Sequence, residues 1–213
     1  MSCWMAGRAA ATCTVALTLV ACLHAGATAP APEAPAGASA PAPPGSGGQP
    51  RVNADAQALV KLQDRVKVYL ALHNKLEGTL PNLPTDATPQ QIDDHQRAFA
   101  KLVQDARRGA KRGDLFTTES RRVIRKLMIR VFGGRDGRQL RASIMDEYPG
   151  NLRITVNGRY PDTVPLSTVP PQVLAGLPQL PSELEFRFIG RRLILMDVHA
   201  HIILDFIDNA IPA

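Results

Sequence analysis

Beyond residue 22 the chain has no cysteine, and beyond residue 4 it has no tryptophan. Its three cysteines, Cys3, Cys13 and Cys22, all lie in the opening stretch. The remainder therefore has no disulfide framework, no thiolate nucleophile and no cysteine-held metal. Aromatic residues make up only 5% of the 213 residues. G-x-S-x-G, S-x-x-K, H-E-x-x-H and the phosphate-binding Gly-rich loop are all missing, and no cofactor fingerprint is present. Ser120, Ser143, Ser167 and Ser182 stand in no nucleophile motif. These absences favour a protein that binds over one that catalyses.

The opening is dominated by small apolar residues. Arg8 is followed by "AAATCTVALTLVACLHAGA", a weak basic region leading into an apolar run with small residues at its end. This is a signal-peptide pattern over residues 1–27 and implies export to the periplasm. The run is shorter than the roughly 20 apolar residues of a membrane span. Two processing sites compete. "AGA" at residues 25–27 fits cleavage before Thr28, and "LVAC" at residues 19–22 fits a lipobox in which Cys22 carries the lipid and tethers the chain to a membrane. Residues 28–50, "TAPAPEAPAGASAPAPPGSGGQP", form a Pro/Ala-rich tract ending in Gly and Ser, a composition expected of a disordered spacer.

Residues 51–213 have the length and pattern of one domain. Asn53 is expected to cap a helix to about Leu76, with Leu59, Leu62, Val66, Tyr69 and Leu76 at 3–4 spacing and His73 in the same stripe. "LEGTLPNLPTD" ends it. Thr88-Pro89-Gln90-Gln91 opens a second helix through a capping box with proline at the first helical position. Its stripe is Ile92, Phe99, Leu102, Val103 and Ala106, and Gly109 is expected to end it. A third helix follows Thr117, with Gly133-Gly134 as its stop, and "RDGRQLRASIMDEY" reads as a short fourth. Then the pattern changes. "LRITV" before Asn157-Gly158 reads as a strand entering a hairpin. A proline-broken connection follows, with at most one short helix after Pro170. "ELEFRFIGRRLILM" reads as a second hairpin turning at Gly190, and "DVHAHIILDFIDNAI" as a closing helix capped by Asp197. The expected fold is α+β, an N-terminal helical layer on a small antiparallel sheet of two hairpins, with a C-terminal helix.

Two features suggest sites. The first is "MDVHAHIILDF", which holds Asp197, His199, His201 and Asp205. In a strand the two histidines would share a face and could hold one metal ion. In a helix they would stand about 200° apart and could not. His73 and His95 are the further histidines that could complete a ligand set. The same four residues are candidates for His–Asp acid/base chemistry in a metal-assisted or His/Asp hydrolase. The helical expectation instead makes them the solvated start of a helix.

The second feature is charge. Between residues 97 and 141 there are fourteen Lys/Arg against four acids, a net of +10. Arg107, Arg108, Lys111, Arg112, Arg121, Arg122, Arg125 and Lys126 are the densest part and the candidate anion-binding residues. Such a field attracts polyanions. Few aromatics interleave with it, so base stacking has no support and nucleic acid is not the expected partner. Behind a signal peptide, the expected partners are anionic lipid headgroups or acidic envelope polymers. The alternative is a solvated basic face.

The final stretch, "LPQLPSELEFRFIGRRLILMDVHAHIILDFIDNAIP", resembles the end of a group of uncharacterised bacterial exported proteins. The resemblance covers only these residues. It implies an envelope protein and transfers no activity, ligand or catalytic residue.

Overall fold

The structure is a computed structural model, which describes residues 53–146, 148, 150, 152–165 and 167–213. The expected signal peptide, the lipobox with Cys22 and the Pro/Ala spacer lie outside the described residues. Among the described residues, five helices and a four-stranded antiparallel sheet form an α+β fold, with most of the helices ahead of the sheet.

Helix α1 (Ala54–Glu77) starts where Asn53 accepts the Asp55 amide at 3.0 Å. It buries Ala58, Leu62, Val66, Tyr69 and His73, one residue per turn on one face. Helix α2 (Pro89–Ala106) has the expected capping box. Thr88 accepts the Gln91 amide, and the Gln91 side chain accepts the Thr88 amide at 2.8 Å. Only its second half is buried, through Phe99, Ala100 and Val103, so Ile92 stays exposed. Helix α3 (Thr118–Phe132) is capped by Thr117, buries Ser120, Ile124, Met128 and Phe132, and stops at Gly133. Helices α4 (Gly137–Asp146) and α5 (Pro171–Leu174) are short.

The sheet order is β1-β4-β3-β2, with β1 Gly158–Arg159, β2 Leu184–Ile189, β3 Arg192–Asp197 and β4 Ile202–Ile207. β2 and β3 form the hairpin expected at Gly190, whose φ of +53° suits a residue without Cβ.

Two expectations change. Residues 202–207 are a strand and not a closing helix. The segment "IILDFI" is buried at every position because helices cover one sheet face and Tyr148, Leu152, Ile154, Val156, Tyr160 and Val164 pack on the other. A strand covered on both faces reads as a continuous apolar run, which periodicity alone cannot separate from a buried helix. Each of its apolar side chains contributes about 1.5–3 kcal/mol relative to an exposed one. The first hairpin also differs. Asn157 does turn the chain, with φ +64°, but β1 pairs with β4, and Leu152, Ile154 and Val156 pack on the sheet without joining it. The Asn157 amide group donates to Gln104 O at 3.0 Å and Arg107 O at 3.1 Å, occupying carbonyls at the end of α2.

An irregularity between Leu195 and Met196 breaks the β3–β4 register. Leu204 packs in the core under the helices, and the adjacent Asp205 meets the loop between α2 and α3. A regular strand would send one of these two to the other face.

Candidate functional site

Asp205 is fully buried and is held almost entirely by backbone. Its carboxylate accepts the amides of Gly113 (3.0 Å), Leu115 (3.0 Å), Phe116 (2.9 Å) and its own neighbour Phe206 (2.8 Å). Gly113 turns into this cradle with φ +101°. Arg107 closes the loop from the other side by donating to Leu204 O at 3.1 Å. A carboxylate filled in this way fixes the path of residues 107–117 and has no lone pair directed at a substrate.

Asp197, at the end of β3, is equally buried but meets side chains. Its Oδ2 accepts the Tyr69 hydroxyl at 2.5 Å and lies 2.6 Å from His73 Nδ1, and its Oδ1 accepts the Ala200 amide at 2.7 Å. An ionised carboxylate only accepts, so His73 Nδ1 carries a proton and donates it. Burial pulls the His73 imidazole down, but the hydrogen bond and charge of Asp197, with Glu77 and Glu183 behind them, outweigh it and leave it raised. Burial first, then the charge and hydrogen bond of Asp197, push the Tyr69 phenol up, so it stays a donor. The role of Asp197 is thus to orient His73 and to close the 198–201 turn, not to cap a helix.

The other nitrogen of His73 points to a second carboxylate. Glu77, one turn along α1, places Oε2 3.4 Å from His73 Nε2, and its Oε1 lies 2.9 Å from His199 Nδ1. The ligating atoms of His73, Glu77 and His199 all lie within 4.8 Å of one another. Phe99 packs edge-on against the His73 ring at 4.9 Å.

The two histidines of "DVHAH" part company. The 198–201 turn puts His201 in the left-handed region, φ +55°, with Nδ1 3.2 Å from Asp162 and its ring beside Tyr160. Asp162 also takes Arg159 (3.0 Å) and Arg97 (3.3 Å), and these guanidinium groups hold its carboxyl below its usual range. Asp197, His199, His201 and Asp205 are therefore distributed over three networks, and among the described residues the cluster that could hold a metal contains His199 without His201. His95 on α2 is absent from the His73 cluster.

The basic residues divide. Arg107 stacks on Tyr69 and has one guanidinium nitrogen buried without a partner, and its desolvation lowers its affinity for the proton. Arg112 pairs with Asp208 at 2.5 Å, Arg121 donates to Phe116 O at 2.6 Å, Arg125 to Asp208 O at 3.1 Å, and Lys126 reaches Asp55 at 2.9 Å. Among the described residues Arg108 pairs only with Asp105, three residues earlier in the last turn of α2. Lys111, Arg122, Arg130, Arg135 and Arg138 are exposed and make no side-chain hydrogen bond or ion pair among the described residues. Arg122, Lys126 and Arg130 follow one another by four along the solvent side of α3, beside Ile129, which is 60% exposed. No helix of the described residues is long and apolar enough to cross a membrane.

Of the clustered residues, Glu77 escapes a reading centred on "DVHAH". Its signal is local, because "HNKLE" sets His73 and Glu77 four apart on one helix face. The pairing of Tyr69 and His73 with Asp197, more than 120 residues away, has no local signal. Comparison with protein-family models, curated proteins and solved structures finds no match.

Proposed function

We propose that this is an exported bacterial envelope protein that works by binding an anionic partner, a lipid headgroup or an acidic envelope polymer, along the outer ridge of α3. The leader pattern, the possible lipid anchor at Cys22 and the resemblance of the C-terminal stretch support the location. One observation carries the binding role. Arg122, Lys126 and Arg130 stand in line on solvent, Arg122 and Arg130 without an ion pair among the described residues, beside the exposed apolar side chain of Ile129. Cations around a protruding apolar side chain match the boundary between headgroups and acyl chains. The hydrolase alternative is disfavoured because Asp197 and Asp205 are occupied inside the fold.

The test compares the full chain with its Arg122→Glu/Arg130→Glu variant in co-sedimentation with phosphatidylglycerol and with phosphatidylcholine vesicles. Both proteins carry the same apolar leader, so the difference between them isolates the ridge. At about 1 kcal/mol per basic residue near the surface, the double reversal should weaken binding to the anionic vesicles at least about 30-fold and remove its salt dependence. Equal binding by parent and variant refutes the proposal for lipid, and the same comparison on an acidic polysaccharide decides the polymer.

A further inference from the structure

The hydrogen bonding around His73 leaves one strong ligand atom unused. In the neutral imidazole the Nδ1 proton is committed to Asp197, and Nε2 is the ligand atom that a metal ion would take in place of a proton. That nitrogen is buried and has no hydrogen-bond partner among the described residues, since Glu77 Oε2 at 3.4 Å is not in bonding geometry. An unpartnered buried polar atom is costly, and a ligand outside the protein is one way to satisfy it. What Nε2 faces is a carboxylate and a second imidazole.

We propose that His73, Glu77 and His199 bind a divalent transition-metal ion of the zinc class, with Asp197 as the carboxylate that orients the buried histidine. The donor set is two imidazole nitrogens and one carboxylate oxygen, which suits zinc and its neighbours and not calcium or magnesium. His73 and Glu77 come from successive turns of α1, and His199 from the β3–β4 turn. Ligand atoms within 4.8 Å of one another need to close by about 1 Å to reach the spacing set by metal–ligand bonds of roughly 2 Å. The adjustment falls on the outer pair, because the Glu77 and His199 side chains are 37% and 45% exposed while His73 is fixed. Asp197, itself held by Tyr69 and the Ala200 amide, forms with His73 the carboxylate–histidine arrangement that fixes ring orientation at metal centres. Three protein ligands leave a fourth position open on the solvent side. The site is independent of the α3 ridge.

Calorimetric titration of Zn²⁺ into the full chain, prepared without a histidine tag, is the test, with Co²⁺ absorption as a second readout. The expected result is one ion per chain and a cobalt spectrum of tetrahedral intensity. His199→Ala and Glu77→Gln change partly exposed side chains and should leave the fold intact. Each should weaken binding more than about 100-fold, beyond the roughly 10–100-fold that losing an outer-shell partner costs. His201→Ala should bind as the parent does. Failure of the parent to bind stoichiometrically overturns the proposal. So does binding that survives both His199→Ala and Glu77→Gln.

Discussion

Asp205 and Asp197 lie on adjacent central strands, are both fully buried, and do opposite things. Asp205 gathers backbone amides from a loop some ninety residues earlier in the chain. Those donors are fixed in direction, so the carboxylate and the loop determine each other. Asp197 gathers a phenol and an imidazole, whose far sides remain available for other chemistry. The lesson is that burial does not separate a structural acid from one supporting a site; the kind of donor does. Backbone donors terminate the network, whereas the histidine turns its second nitrogen toward Glu77, 3.4 Å away.

Breaking the Asp205 side should cost most. Asp205→Ala leaves several buried amides with no acceptor and no freedom to turn toward one, and should lower stability by about 4 kcal/mol or more in urea titration, with the amides of Leu115 and Phe116 losing hydrogen-exchange protection. Asp197→Ala should cost less, about 2–3 kcal/mol, because a phenol and an imidazole can swing to new partners. Gly113→Ala probes the same loop through its backbone: φ +101° is unsuited to a side chain, and a loss of about 1–2 kcal/mol is expected in the same titration. Tyr69→Phe removes one of three donors to Asp197 and should cost about 1 kcal/mol. A double-mutant cycle sharpens the contrast. Asp197→Asn should couple to His73→Gln by about 0.5–3 kcal/mol, while Asp205→Asn and His73→Gln should be additive within about 0.5 kcal/mol.

Much of the helical layer was legible because its signals are local. Asn53, Thr88 and Thr117 cap the helices expected of them, and Thr88 with Gln91 forms the reciprocal box. The β2–β3 hairpin was legible for the same reason, through alternation up to Gly190. β4 was not, because both faces of "IILDFI" are covered and its partners are set by tertiary structure. Asn157-Gly158 does make a turn, yet no turn chemistry in the sequence says which strand the outgoing residues will pair with. The site divides along the same line: the four-residue spacing of His73 and Glu77 is visible, whereas the approach of His199 and Asp197 to that face depends on where the last strands settle.

The central place of β4 also sets the order of events in time. It lies between β1 and β3 and supplies the carboxylate for the loop ahead of α3, yet it is the last of the four strands to be synthesised. A growing chain can form isolated helical turns early but cannot complete the sheet, or fix residues 113–116, until residue 207 has emerged. Such late, long-range closure slows folding. Until then the earlier elements lack the strand that stands between β1 and β3.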